Sequence, residues 1–291
     1  MNKKKMALLF VILAACMWGT LGVTVKILTG FGFSPVQMVV ARLSISAILL
    51  GLFLLLTDKE KLYIKFKDIK WFFATGILSM LFFNTSYSAA VSLTSLSIAA
   101  VLLYTSPIFV TLFSVPVFKE KLTGKKVTAM LFSVFGCALV SGILTSSTSD
   151  LSVKGLVLGI CAAVGYAFYG ILARLLVKKY HPLTILFYTF LFAAGGGLFV
   201  GDVKGIMEIV TEKNAVLPVL ILIAFLCSVL PYILYTNALK YVEASKVAVT
   251  ASIEPVVATI LGVLFYKERV TISGIMGIVC VLFAIGLLNR E

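Results

Sequence analysis

The chain has 291 residues, of which 61% are hydrophobic and 13% charged, and its mean hydropathy is +1.12. This composition is far more apolar than that of a soluble globular domain and is typical of an integral membrane protein. The net charge of +13 could suggest nucleic-acid binding, but the basic residues lie in short clusters between apolar runs and form no basic face, so no nucleic-acid partner is predicted.

Apolar runs long enough to cross about 30 Å of hydrocarbon recur along the chain. A helix is expected in each run because every backbone amide inside a bilayer must find its hydrogen-bond partner within the segment. The predicted fold is therefore an all-α integral membrane protein with ten transmembrane helices. The predicted spans are 6–28, 36–57, 70–91, 97–117, 125–144, 154–177, 183–200, 215–239, 245–265 and 271–288.

The distribution of lysine and arginine predicts the orientation of these spans. With the N-terminus inside, 17 basic residues fall in inner segments and 5 in outer segments. This bias agrees with the positive-inside rule. We therefore predict a multi-pass protein of the lipid bilayer of the plasma membrane, the inner membrane of a prokaryotic cell, with both termini cytoplasmic.

The sequence repeats itself at an offset of 148 residues. The segment "SPIFVTLFSVPVFKEKLT" at 106–123 aligns with "EPVVATILGVLFYKERVT" at 254–271. We therefore predict two five-helix units, residues 1–148 and residues 149–291. Because five is odd, the second unit must be inserted upside down relative to the first. Inverted repeats are typical of secondary transporters, whose substrate site lies near the midplane between the units.

Basic residues also mark the ends of several predicted helices. The matching segments "KEK" at 119–121 and "KER" at 267–269 are predicted to be helix stops at the membrane interface. Lys26 and Arg174, near the ends of the first and sixth spans, are likewise predicted to extend toward the interface.

Two prolines at corresponding positions are the best pointer to a site. Pro107 and Pro255 each interrupt a predicted span and remove a helical hydrogen bond, so both are candidate gating residues. Ser106 precedes the first proline and Glu254 the second. An ionised carboxylate in the middle of a span costs about 2.5–3.5 kcal/mol, so Glu254 is predicted to face a cavity. There it could bind a substrate ammonium, carry a proton, or hydrogen-bond the backbone freed by Pro255.

Other candidate residues are polar or aromatic and lie at matching depth in the two units. Aromatic residues midway along a span do not form an interfacial belt, which lies at span ends. They could line a cavity or pack between helices, and an asparagine could hydrogen-bond across helices. Arg42, about one turn and a half into the second span, is a candidate charge partner. The candidate substrate-binding residues, with Ser106 and Glu254, are Trp18, Asn84, Tyr87, Tyr104, Tyr166, Tyr232, Tyr235 and Asn237.

Catalytic and cofactor-binding motifs are missing from the sequence. It contains no HExxH, GxSxG, P-loop or paired CxxC motif. We therefore predict no enzymatic activity, no cofactor and no metal site.

Several segments together resemble a known family. The segments "CMWGTLGVTVKIL", "SPVQMVVAR", "YSAAVSLTSLSIAAVLLYTSPIFVTLF" and "ASIEPVVATILGVLFYKERVT" are similar to the drug/metabolite transporter superfamily, in its ten-helix EamA branch with two tandem EamA units. The resemblance implies an inner-membrane carrier, commonly an exporter of amino acids or other metabolites, with a central cavity lined by helices 1, 3, 4, 6, 8 and 9. Trp18, Tyr87, Tyr104, Tyr166 and Glu254 fall where the cavity residues of that family lie.

These observations predict a secondary-active transporter that exports a small polar metabolite, an amino acid or related zwitterion, by alternating access. Glu254 could couple export to the proton gradient if its carboxyl group is neutral in a dry core and ionised when wetted. A carrier of nucleosides, sugars or cationic drugs is the alternative within transport. A channel or a membrane sensor is the alternative from another class, although no filter-forming segment is evident. The oligomeric state is left open.

Overall fold

The computed structural model describes residues 2–142, 152–267 and 271–289, and the regular structure within these ranges is helical. The helices of the first half are α1 (Lys3–Gly19), α2 (Leu21–Gly30), α3 (Pro35–Thr57), α4 (Ile69–Phe73), α5 (Phe82–Leu93), α6 (Leu96–Leu103), α7 (Ser106–Phe118) and α8 (Gly124–Val140). Those of the second half are α9 (Val153–Leu176), α10 (Pro182–Val200), α11 (Val203–Glu212), α12 (Val216–Ala224), α13 (Leu230–Ala238), α14 (Ala244–Ala251), α15 (Glu254–Tyr266) and α16 (Ile272–Asn289).

The helical segments follow the order of the ten predicted spans, in agreement with an all-α membrane protein. Two of the ten spans are shorter than the others: the apolar helix Ile272–Leu288, and α8, which has 17 residues. The predicted fifth span, 125–144, continues into residues outside the described ranges. The segments long and apolar enough to cross a membrane are Lys3–Gly30, Pro35–Thr57, Phe66–Leu93, Leu96–Phe118, Val153–Leu176, Pro182–Val200, Val216–Ala238 and Ala244–Phe265.

The fourth and ninth spans are each broken into two helices at the same point of the repeat. The helix bounds of α6 and α7 reappear in α14 and α15 at an offset of 148 residues. Pro107 and Pro255 are the second residues of α7 and α15. A proline is tolerated there because the N–H it lacks would have no partner in the first turn. The expected kinks are therefore complete helix breaks, each spanning two residues.

The two broken spans also end alike. Lys119 follows α7 and Lys267 follows α15, and both adopt the left-handed conformation, with φ of 55° and 56°. A residue with a side chain costs roughly 1–2 kcal/mol in this conformation. The same unfavourable backbone has therefore been kept in both halves.

Wide π-helical turns lie in the third and eighth spans. Ala74–Leu81 joins α4 to α5, and Phe225–Val229 joins α12 to α13. At the repeat offset, the second turn falls on residues 77–81, within the first. Such turns are rare and are often found at functional sites.

The first spans of the two halves differ. The first span is broken at Thr20, between α1 and α2, where the Thr20 hydroxyl donates to the carbonyl oxygen of Met17 at 2.7 Å. Its counterpart, α9, is one continuous helix. The repeat is therefore close but incomplete.

Helix packing follows the inverted repeat. In the centre, α1 packs against α13 and α15, and α9 packs against α5 and α7. At the periphery, α3 packs against α10 and α8 against α16. The α8–α16 contact is close, since a Cβ atom on Gly136 would lie 2.7 Å from the carbonyl oxygen of Gly277. Small residues allow this approach between membrane helices.

The amphipathic helix α11 lies in a segment predicted to be an outer connection. Asp202 caps it by accepting from the Gly205 N–H at 3.0 Å, and Gln37 donates to the same carboxylate at 3.1 Å. Ile206 packs into an apolar cluster with Phe33 and other residues of the neighbouring spans. At ten residues, the helix is too short to register as a span.

We expect residues on α11 and on the α3–α4 connection to face opposite sides of the membrane. Tyr63 and Glu208 are both exposed, and each can carry a single cysteine in a variant lacking the five native cysteines. An impermeant maleimide added to intact cells should label Glu208→Cys but not Tyr63→Cys, because the basic residues place the α3–α4 connection inside. Labelling of Tyr63→Cys alone would reverse the predicted orientation.

Candidate functional site

Glu254 lies where the two helix breaks meet. It is the first residue of α15, and its carboxylate interacts with Tyr104, the residue that follows α6. The two residues come from opposite halves. A carboxylate in the first turn of a helix is also stabilised by the helix dipole.

Three partly accessible tyrosines interact with this carboxylate. Tyr87 on α5, Tyr104 and Tyr166 on α9 all interact electrostatically with Glu254. All four residues keep part of their surface accessible, although they lie in the interior of the bundle. We call Tyr87, Tyr104, Tyr166 and Glu254 the carboxylate site.

A packed aromatic cluster adjoins the carboxylate site. The Trp18 ring lies 5.0 Å from Tyr232 and 5.5 Å from Tyr235, centroid to centroid, and 6.5 Å from Tyr166. Trp18, Tyr232 and Tyr235 are each no more than 6% exposed. These three predicted residues therefore pack next to the carboxylate site and expose little surface to a ligand.

Tyr169 belongs to the same cluster, and sequence analysis missed it. Its hydroxyl shares a hydrogen bond of 2.6 Å with the Thr236 hydroxyl, and its ring lies 5.1 Å from that of Tyr232. Its spacing of three residues from Tyr166 on one helix could have indicated it.

The remaining polar candidates are engaged in helix packing. Asn84 accepts from the Arg42 guanidinium at 3.1 Å and donates to the Met80 carbonyl oxygen at 2.7 Å. Asn237 donates to the Ile233 carbonyl oxygen of its own helix at 2.9 Å. Ser106 is buried at the start of α7. Within the described residues, these side chains make no hydrogen bond to the carboxylate site.

Arg42 crosses from α3 to the π turn of the eighth span. Its guanidinium donates to the Ser228 hydroxyl at 3.1 Å and to the Cys227 carbonyl oxygen at 3.4 Å. Among the residues that the structure describes, no carboxylate pairs with it. Arg42 and Glu254 are therefore two charges of opposite sign that do not form an ion pair.

A buried charge cluster joins the halves at the end of the bundle that carries the N-terminus. Glu120 follows α7, and its side chain is 4% exposed. It pairs with Arg174 at the end of α9, and Lys126 of α8 lies 3.6 Å away. It also accepts from the Ala244 N–H at 3.2 Å and from the Ser245 hydroxyl, so it caps α14. We call this set the Glu120 cluster.

The Glu120 cluster adds a contact that the prediction for "KEK" did not include. The helix α7 ends at Phe118, as predicted, and Glu120 and Arg174 each find a partner in the opposite half. Charges this well buried need partners because desolvation is costly. The matching helix of the first half, α6, is capped differently: the hydroxyl of Ser95, the residue just before it, accepts from the Ile98 N–H at 3.2 Å. Glu268, the counterpart of Glu120, lies outside the described residues.

We expect Pro107→Ala and Pro255→Ala to reduce transport without preventing insertion. Each alanine restores an N–H that can bond back across the break, and a proline in a helix interior costs about 3 kcal/mol. The continuous helix therefore gains stability over the broken one. Pro116→Ala is the matched control, since Pro116 lies exposed inside α7 away from the break. Full transport by the double variant in vesicles would show that the breaks are packing details.

Comparison with known proteins agrees with this architecture. The model of the EamA-like transporter family matches residues 5–142 and 153–290, and the two matches begin 148 residues apart. An uncharacterized transporter of Clostridium kluyveri is 25% identical over 285 residues, which cover 96% of this chain and 91% of the relative. The uncharacterized transporter YyaM of Bacillus subtilis is 26% identical over 79% of this chain and 76% of its own length.

A solved structure titled "Crystal structure of protein" has the same fold. It superposes with a TM-score of 0.78 over 97% of this chain and 96% of the other. At 15% sequence identity, this likeness concerns the fold alone.

Proposed function

Because this chain belongs to the EamA-like transporter family, we propose that it is a secondary-active transporter that exports a small polar metabolite by alternating access. Membership indicates a membrane transporter and not an enzyme. We further propose that the substrate is an amino acid or a related zwitterion, and that the protein lies in the plasma membrane with both termini cytoplasmic.

The observation that carries this proposal is the position of Glu254. It begins α15, directly after the break in the ninth span, and interacts electrostatically with Tyr87, Tyr104 and Tyr166. An intramembrane acid that faces a cavity is expected to bind a cation or to move a proton. A primary ammonium has three N–H donors, which a carboxylate and tyrosine oxygens can accept.

The Glu120 cluster supports alternating access. It ties α14 of the second half to the end of α7 of the first half, at one end of the bundle. Tyr104 lies 14 residues before Phe118 but only 8 after Leu96, so it is nearer the opposite end of its span. The carboxylate site therefore lies toward the end of the bundle opposite the Glu120 cluster, and contacts between the halves at one end are expected in one of the two access states of a carrier.

A ligand screen tests the proposed substrate class. Any compound that binds the folded state raises its stability, by about 2.7 kcal/mol at one hundred times its dissociation constant. Purified protein should be stabilised by one or more of the twenty L-amino acids and not by nucleosides, sugars or quaternary amines. Stabilisation by one of those other classes alone would replace amino acids as the substrate.

Counterflow in proteoliposomes then tests the mechanism. A carrier loaded inside with unlabelled substrate accumulates labelled substrate transiently, because it must return through the same site. A channel cannot do so, and a sensor moves nothing. Absence of counterflow for every stabilising compound would reject a carrier.

A further inference from the structure

Among the described residues, Arg42 is a buried cation without an acidic partner. Its guanidinium contacts three neutral groups: the Ser228 hydroxyl, the Cys227 carbonyl oxygen and the Asn84 side-chain oxygen. Charged residues inside a membrane are costly and usually mark a path for an ion or a substrate. A functional role would explain why a positive charge is kept at this position despite its cost.

The fold itself does not require that charge. Arg42 lies seven residues after Pro35, and Thr189 lies seven residues after Pro182 in the corresponding helix of the other half. Thr189 is fully buried, and its hydroxyl donates to the Thr75 hydroxyl at 2.9 Å, in the π turn of the third span. A neutral side chain thus connects the second-half helix to its π turn. Arg42 makes the equivalent connection with a full positive charge.

Packed residues connect Arg42 to the carboxylate site. Asn84, which accepts from the Arg42 guanidinium, lies three residues before Tyr87 on α5, so the two side chains share a face of that helix. Ser228, which also accepts from Arg42, lies four residues before Tyr232, whose ring packs against Trp18, and the Trp18 ring lies 6.5 Å from that of Tyr166. A cationic and an anionic side chain therefore adjoin the same group of aromatic residues. This arrangement matches a ligand that carries both charges.

We propose that the Arg42 guanidinium binds the carboxylate of the substrate while Glu254 binds its ammonium, an inference that rests on the proposed function. Arginine has five N–H donors, and three hydrogen bonds to protein are present. Two donors are left, and a pair of N–H groups is what a carboxylate accepts in the bidentate geometry. The substrate class is therefore one with a free carboxylate next to a free amine.

Three matched probes test this assignment: the L-amino acids, their α-amides, and the corresponding acids without the amine. Dissociation constants are measured from thermal shifts and from competition in counterflow. The wild type should prefer each bound amino acid to its amide by at least about tenfold. Arg42→Thr, which installs the residue of the sister half, should lose this preference while binding the amide as before. Glu254→Gln should instead lose the preference for the amino acid over the deaminated acid.

Two further variants make the result decisive. Lys213→Gln, which removes an exposed cation that contacts the Phe31 carbonyl oxygen, should keep both preferences. Arg42→Lys keeps the charge without the planar fork and should keep part of the amide discrimination.

An Arg42→Thr protein that still prefers the amino acid to the amide overturns the assignment and leaves the proposed function standing. A wild type that binds none of the amino acids overturns both. If Arg42→Thr does not fold, Arg42→Gln is measured in its place. Failure of Arg42→Thr, Arg42→Gln and Arg42→Lys to fold would assign Arg42 to structure alone and overturn the proposal.

Discussion

Glu254→Gln is expected to insert and purify normally yet to lose active export. Glutamine keeps the size of the side chain and an acceptor oxygen that can face Tyr104, but it cannot ionise. A hydrogen bond to a charged group contributes about 1.5–3 kcal/mol, which corresponds to roughly a ten- to hundredfold loss of affinity for an ammonium. Transport is measured in proteoliposomes with an imposed pH gradient, and exchange is measured without one.

The pH dependence separates the roles of Glu254. If Glu254 carries the coupling proton, residual exchange by Glu254→Gln should no longer change with pH. Glu208→Gln is the matched control, because Glu208 lies exposed on α11. Wild-type export by Glu254→Gln across the same pH range would remove Glu254 as both proton carrier and counter-ion, while the fold and family would stand.

Glu120→Ala is expected to destabilise the protein strongly. The substitution leaves Arg174 without its carboxylate and removes the acceptor for the Ala244 N–H and the Ser245 hydroxyl. Breaking a buried ion pair by removing one partner typically costs about 3–5 kcal/mol. The effect is measured as a fall in Tm in detergent and as a loss of protein in the membrane.

Two control variants show how much of the fall in Tm is due to the buried ion pair. Asp58→Ala removes the acid of an exposed pair with Lys61, in which both side chains are about one-third exposed, and should leave Tm unchanged. Glu120→Gln can still accept from Ser245 and should fall between the two. A Tm for Glu120→Ala equal to that of Asp58→Ala would show that the cluster does not hold the halves together.

The spans and their breaks could be predicted because the bilayer constrains a sequence so strongly. A run of apolar residues has few alternatives to a helix in hydrocarbon. Pro107 and Pro255 each mark a point that a helix interior tolerates poorly. Since both prolines occur at one offset, the paired breaks follow from local rules alone. The position of Glu254 beside one of them follows in the same way.

The pairings between halves could not be predicted in this way. Glu120 and Arg174 are far apart in sequence, and their contact depends on how the ends of α7 and α9 meet. The burial of Trp18 and Tyr235 likewise depends on packing between α1 and α13, which hydropathy does not encode. The π turns leave no mark in composition, because a wide turn needs no special residue. Tertiary contacts therefore decided which aromatic candidates line the site.

The matching bounds of α6, α7, α14 and α15 bear on the direction of transport. If each half of such a carrier can adopt the shape of the other, the two access states contain the same broken helices and differ little in free energy. A cycle between states of similar free energy is reversible, and the solute and proton gradients then decide which way it runs. The break at Thr20 and the replacement of Thr189 by Arg42 in the matching helix are two places where the described residues depart from that symmetry. A built-in preference for one side of the membrane would have to originate in such departures.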